Sequence, residues 1–406
     1  MKRLLSVLLT VALAVSGMCV FTGCTAREEQ LKLFSQGEYM DESIFEEFES
    51  WYKEQTGEKV TVSMDDFNSN EQMYMLVEAG EADYDLICPS DYTIEKMIKN
   101  NLCQKVDKEI LDIAQEGLFK EEYLQATRTF DKNLEYSVPY MFGTFGIMYN
   151  RTKINKDVTS WAEIFTENKD ETIYLKKSIR DTYHAASLFA KRDEIISASG
   201  ESKKQAVQSA FDDTSAENIN AVKNIITEWK KGSKKLWDDE NGKFEMAQNQ
   251  GALGLFWSCD AGYVMGDYED ESGESLPGNK NLWYVIPEEG GNIYLDSFVI
   301  PTSAKNTKAA NYFLKFLCEK ETAKLNSVYC GAVSPVAAAY DELEAEYEEM
   351  NLTDEDSVFF GTSEEWKRMY IDMMFPPESV LARCGQMRDY GANESAVIKA
   401  MTDLLG

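Results

Sequence analysis

Short apolar runs that stop in polar loops, each followed by a segment of helical period, form the repeating pattern of the chain. Residues 31–34 are the first such run, and it ends in the polar loop 35–39, which carries Gln36 and Tyr39. Ile44, Phe45, Phe48, Trp51 and Tyr52 then share one helical face. Ser43 and Glu46 have the spacing of a capping box before that face, and Thr56 with Gly57 stops it. Residues 60–64 predict a second strand. Ser69 and Gln72 open a helix with Met73, Leu76 and Val77 inward and Gly80 as terminator. The stretch 83–92 organises the rest: residues 85–88 suffice for one buried strand, and Pro89 ends it by removing a ladder donor. Ser90 or Asp91 can cap the helix that carries Ile94, Met97 and Ile98. A strand that stops and throws small polar groups and a Tyr into the loop before a helix is where open α/β sheets bind ligands. The alternating units predict an α/β fold, with parallel strands covered by helices on both faces.

The pattern changes at 136–150, a segment rich in aromatics and Gly, without a charge and two strands long. It reads as a passage from one domain into another. Ser160 and Glu163 open a helix, 172–175 is a strand, and 178–181 is a polar loop before the helix holding His184. Thr214 and Glu217 begin a further helix with Ile219, Val222, Ile226 and Trp229 on one face. Residues 252–257 are an apolar strand ending in Ser258, Cys259 and Asp260, and the acidic segment 267–281 is a solvated loop. Strands at 283–286 and 293–300 follow, the second containing Tyr294, Asp296 and Ser297 and forming the return passage. A helix spans 306–318. Beyond Ser334 and Pro335 the chain is helical and acidic, finishing with 395–405.

The N-terminus stands apart from this pattern. Met1, Lys2 and Arg3 are followed by an apolar stretch to Val20, as in a secretory signal covering 1–23. Phe21, Thr22, Gly23 and Cys24 resemble the lipobox of bacterial lipoproteins, which implies an exported chain with lipid on Cys24 and a linker over 24–30. A plain secretory signal or an N-terminal anchor helix is the alternative. No second apolar stretch approaches the roughly 18 residues of a membrane helix. The remaining length suffices for two domains with separate cores. The 71 acidic against 41 basic side chains give a net charge of −30, which repels nucleic acid and anionic headgroups and attracts a small cation. Beyond the leader and Cys24 lie six cysteines: Cys88, Cys103, Cys259, Cys318, Cys330 and Cys384. There is no C-x-x-C, and the single histidine, His184, cannot build a multi-histidine metal site. Mostly free buried thiols are expected, with Cys318 and Cys330 the pair to form if any does. No cofactor and no metal is indicated.

Five strand ends or loops carry an aromatic or a carboxylate: Tyr39; Ser90 with Tyr92; Asp181; Trp257 with Asp260; and Tyr294 with Asp296. Aromatic faces attract cations by about 0.5–2 kcal/mol each, and carboxylates offer charge-assisted hydrogen bonds. Together they describe a cage for an organic cation. Singly, each aromatic is equally a core residue and each Asp a helix cap; their recurrence at loop after loop carries the reading.

These residues resemble the spermidine/putrescine-binding proteins of polyamine ABC transporters. The resemblance runs from about Leu31 to the C-terminus through Gly37 to Tyr39, Ser69 to Met73, Tyr84 to Tyr92, Tyr136 to Tyr140, Val158 to Ala162, Trp257, and Gly290 to Ser297. It implies a two-lobed type II periplasmic-binding fold, each lobe a mainly parallel sheet with flanking helices, joined by two crossover strands. Lobe 1 would be 31–143 with 296–330, and lobe 2 would be 144–295 with 331–406, including the C-terminal helices. The resemblance places Tyr39, Ser90, Asp91, Tyr92, Asp181, Trp257, Asp260, Tyr294 and Asp296 on the ligand. Gln36 stands where the family has a Trp, Ser178 where spermidine binders have an acid, and Ala332 where a Tyr is usual. A C-terminal contact falls at Gln386 or Met387.

A diamine needs one acid at each end of an aromatic sleeve. Asp296 with Asp260 would clamp one ammonium and Asp181, through water, the other. The acid missing at Ser178 removes a partner for a third amine, so putrescine is expected ahead of spermidine. The implied mechanism is lobe closure on the ligand near 140–146 and 296–301, followed by docking of a monomer on a membrane permease. The membrane is met only through the lipid anchor, and no nucleic acid is bound. Two other classes fit the same residue types: an exported two-carboxylate glycosidase and a receptor that senses a cation without transport.

Overall fold

The structure is a computed structural model that describes residues 30–232, 234–237, 241–269, 275–350 and 362–405. The expected leader, Cys24 and part of the 267–281 loop lie outside the described residues. The strands in chain order are β1 (Gln30–Ser35), β2 (Thr61–Asp66), β3 (Leu86–Ile87), β4 (Cys103–Gln104), β5 (Ser137–Asn150), β6 (Ile173–Lys176) and β7 (Lys234–Trp237). They continue as β8 (Leu253–Trp257), β9 (Tyr268–Glu269), β10 (Ser275–Leu276), β11 (Leu282–Val285), β12 (Gly291–Pro301) and β13 (Cys384–Gly385).

One sheet runs in the order β2-β1-β3-β12-β5-β8-β6-β7, with β11 on β5 and with β4 and β13 on β12. Its two ends are parallel, as the alternating units predict: β1 pairs in parallel with β2 and β3, and β6 with β7 and β8. Its centre is antiparallel. β5, 14 residues and buried throughout, runs against β12, β8 and β11, so the aromatic passage and the return passage are adjacent strands of one ladder. The register of β5 against β12 shifts between Asp296 and Ser297, opposite Pro139. Proline cannot donate to the ladder, and a bulge there re-aims the neighbouring side chain.

Helices cover both faces of each end. Ile44, Phe48, Phe313 and Leu314 close one core over Leu31 and Leu33. Trp161, Leu188, Val222 and Trp229 close another over Phe145, Ile173 and Leu255. Complete burial of side chains of this size contributes about 1.5–3 kcal/mol each. Trp161 also donates to Gly290 O at 2.9 Å, tying its helix to the turn that opens β12.

Asp85, in the stretch that organised the sequence, binds backbone. Its two oxygens accept the N–H groups of Lys32, Lys305 and Asn306 at 2.8–3.0 Å, locking β1, the approach to β3 and the start of helix Thr307–Leu317 together.

Several local expectations are corrected. The Ser43 capping box does not form: Ser43 already has helical φ/ψ and makes no side-chain cap bond before Ile44–Thr56. Ser160 accepts the Ala162 N–H at 3.1 Å and also donates to Glu289, and the helix that opens after it is a single short turn, Ala162–Phe165. Residues 178–181 are not a loop, because Ser178 accepts from Asp181 N at 3.3 Å and caps the helix Ile179–Ala190. The cap after Thr214 is Ser215, one residue later. The strand expected at 172–175 extends to Lys176. The six described cysteines are all free, Cys318 and Cys330 included. His184 is buried, with Nε2 3.0 Å from the Tyr390 hydroxyl and its ring stacked on Phe211, a packed interior residue.

Candidate functional site

Asp296 lies on β12 beside the bulge that Tyr140 makes in β5, and it is 4% exposed. The Tyr39 hydroxyl donates to its Oδ2 at 2.8 Å, and Tyr39 is held in turn by Tyr140, whose hydroxyl donates to Tyr39 O at 2.8 Å. Ser90 and Gln36 lie close enough to draw the Asp296 pKa down, yet Oδ1 has no full hydrogen bond. Burial dominates: it lifts the carboxyl to about 6 against these hydrogen bonds, with Asp181 adding to the rise. Ser90 does not cap its helix through its side chain. Its N–H and hydroxyl are instead bracketed by the Asn70 amide at 3.0 and 3.1 Å. Asp91 accepts the Tyr92 N–H at 2.8 Å and leaves Oδ2 without a partner. Its pKa is raised, first by burial and then, against the Tyr92 bond, by Asp296. Two buried carboxylates, each with one unpartnered oxygen, thus lie near enough for Asp296 to raise the Asp91 pKa.

Trp257 ends β8, and Asp260 lies in the first turn of the helix Ser258–Met265 that follows at once. Tyr294 packs beside Trp257 with ring centroids 6.5 Å apart and leaves its hydroxyl unpartnered. It lies across β5 at Gly143, its register partner, where a Cβ would collide with the Tyr294 hydroxyl and come within 2.8 Å of Ser258 Oγ. Asp181 sits in the first turn of its helix, with Trp257 close enough to draw its pKa down. Burial raises the Asp181 pKa, and Lys176 opposes the rise.

Two lysines that the motif reading did not include stand among these groups. Lys176 Nζ is 2.7 Å from the Trp257 ring centroid and 3.8 Å from Asp260 Oδ2. Lys243, on helix Asn241–Ala247, reaches Asp260 Oδ1 at 3.8 Å. Burial lowers the Lys176 pKa, and Asp260 and Asp181 oppose it. The available signal was a charge directly continuing an apolar strand, where chain reversal is as ordinary a reading as a site.

The family model for bacterial extracellular solute-binding proteins matches residues 44–352. The chain belongs to that family. Its task is solute binding and not catalysis, which replaces the hydrolase alternative. A spermidine/putrescine-binding periplasmic protein of Salmonella typhimurium is 26% identical over 313 residues, covering 77% of this chain and 79% of that one. A putrescine-binding periplasmic protein of Pseudomonas aeruginosa is 28% identical over 332 residues, covering 79% and 82%. Among solved structures, a chain described as a spermidine/putrescine ABC transporter from Listeria monocytogenes superposes with a TM-score of 0.69 at 25% identity, covering 93% of this chain and 98% of that one. Among the described residues of this solute-binding protein, no helix is long and apolar enough to cross a membrane.

The remaining expected residues occupy the seam between the two ends of the sheet. Tyr92 does not present an open ring: Arg180 lies 3.8 Å above it and 4.1 Å from Tyr390 on its other side. Arg180 also binds Glu71 at 3.2 Å and Arg388 O at 3.1 Å. Gln386 takes Thr129 with its side chain at 3.0 Å and Gln208 with its backbone. Nearby, Arg388 pairs with Glu95 and Lys96 with Glu394 at 2.7 Å. Arg180 appeared in the sequence only as the neighbour of Asp181, and Arg388 and Glu95 carried no motif.

Proposed function

We propose that this chain is an exported, lipid-anchored solute-binding protein that captures a polyamine, putrescine ahead of spermidine, and delivers it to an ABC permease by closing two lobes. The observation that carries the reading is the convergence on Asp296: Tyr39, Gln36, Ser90 and Asp91, from two separate loops, meet one buried carboxylate whose Oδ1 has no hydrogen bond. An ammonium supplies three donors and a positive charge, which such a group lacks. Trp257 and Tyr294 form the wall beyond it, and Asp181 the far acid; Asp260, expected beside Asp296, faces Lys176 and Lys243 at that far end instead. The names of the polyamine-binding relatives support the same class of ligand.

The lobes are 31–143 with 296–330 and 144–295 with 331–406, hinged on β5 and β12. Arg180, Arg388 and Lys96 would latch the closed form. Putrescine precedes spermidine because Ser178 offers a third amine no charge. The lipid on Cys24 would hold the binder at the membrane beside its permease.

Titration calorimetry of the refolded mature chain with putrescine and spermidine, repeated with Asp296→Ala, tests the reading. The expected result is micromolar or tighter putrescine binding that the substitution abolishes. Tighter binding of spermidine would sink the preference, and no heat from either amine would sink the polyamine assignment.

A further inference from the structure

The two ends of the candidate cleft differ in one respect. At the Asp296 end, Asp296 Oδ1 and Asp91 Oδ2 lack hydrogen-bond partners. At the Trp257 end an ammonium is already in place. Lys176 Nζ lies against the Trp257 ring at 2.7 Å, where a ligand cation would sit, and near Asp260 at 3.8 Å. The side chains of Lys176 and Asp260 are only 7% and 8% exposed, so this pair is withdrawn from water. A carboxylate buried here without a counter-charge would be costly, and Lys176 and Lys243 remove that cost without any ligand. The Lys176 side chain is four methylenes ending in an ammonium. Putrescine is the same four methylenes with an ammonium at each end.

Building on the amine-binding reading above, we propose that Lys176 is a tethered competitor for the distal amine: its ammonium occupies the Trp257 and Asp260 position, and a diamine binds fully only by displacing it. A ligand with one ammonium fills the Asp296 end and leaves Lys176 where it is. Lys176 therefore sets how strongly the cleft distinguishes diamines from monoamines. The apparent diamine affinity is reduced by the fraction of molecules in which the lysine has vacated the position.

The test is calorimetric titration of the refolded mature chain with putrescine and with butylamine, for wild type, Lys176→Met and Lys176→Arg. Loss of the charge in Lys176→Met should tighten putrescine binding by about 10- to 100-fold and leave butylamine within about twofold. Lys176→Arg should keep the wild-type ratio. Lys176→Gln is run alongside, and thermal melts establish that each variant is folded. In the wild-type chain the Lys176 methylene proton signals should be shifted by the Trp257 ring current, and putrescine but not butylamine should remove that shift. That measurement decides the matter even if the neutral variants do not fold. Putrescine bound by the wild type as tightly as by the neutral variants, or a ring-current shift that survives putrescine, would overturn the inference and leave the amine reading standing. No binding of either amine by any version would overturn both.

Discussion

Arg388 grips Glu95 through two parallel hydrogen bonds, 2.6 Å from Nη2 to Oε1 and 3.0 Å from Nε to Oε2. Although burial alone would raise the Glu95 pKa, Arg388, the Asp389 N–H and Lys99 bring it down to about 2. The pair joins helix Asp91–Lys99 to the segment after β13, so it fastens the two sides of the seam. Glu95→Gln should cost about 1–2 kcal/mol near neutral pH, between the values for an exposed and a buried pair, since the Arg388 side chain is 36% exposed. A depressed carboxylate contributes stability that is complete above its unfolded pKa and is lost as pH falls toward the folded value. Urea titrations should show the wild type losing this increment between about pH 4.5 and 2, and Glu95→Gln lacking that part of the slope.

Asp296 has the opposite sign. Its carboxyl, lifted by burial to about 6, holds its proton more tightly when folded, so the ligand-free chain loses stability as pH rises from the ordinary Asp value through 6. Asp296→Asn should raise the melting temperature of the ligand-free chain above pH 6. Ammonium binding requires the ionised form. Putrescine affinity should climb between pH 5 and 7 and then level, with calorimetry at several pH values as the check. Tyr39→Phe removes the 2.8 Å hydrogen bond and should move that midpoint upward while weakening binding by about 1–3 kcal/mol.

Gly143→Ala places a methyl against the Tyr294 hydroxyl and Ser258 Oγ. The strand cannot move away without breaking its pairing with β12, so Tyr294 must swing out. A stability loss of about 1–3 kcal/mol is expected. Amine affinity should fall more than in a control at Gly57, whose Cβ would meet nothing within 4 Å but whose φ of +74° carries its own backbone strain.

Asp85→Ala leaves the Lys32, Lys305 and Asn306 N–H groups without their acceptor. About 2–4 kcal/mol should be lost, since each buried orphan donor costs about 1–3 kcal/mol and water can reach part of the group. Chemical denaturation reads the loss. Ligand affinity should not change in the folded fraction, because Asp85 contacts backbone only.

The helices and strands were legible where local rules act alone. Ser69 caps its helix as its spacing foretold, Gly57 ends the preceding helix at positive φ, and the uncharged run over 136–150 is a fully buried central strand. Local rules failed at Ser43, which has capping-box spacing but already adopts helical φ/ψ and makes no cap bond. Tyr39 and Ser90 could be named from sequence because each stands in the loop after a strand; Asp296 sits in mid-strand in β12 and was legible only through the family resemblance. Their meeting on one carboxylate depends on the register of β12 against β5, and so on the bulge that Tyr140 makes in β5. Lys176 in front of Trp257 left only an ambiguous signal, and Arg180 between Tyr92 and Tyr390 and Arg388 on Glu95 left none. A lysine or arginine looks the same in a sequence whether water or a buried carboxylate receives its charge. Only the packing of strands and helices far apart in the chain decides which acid each cation meets.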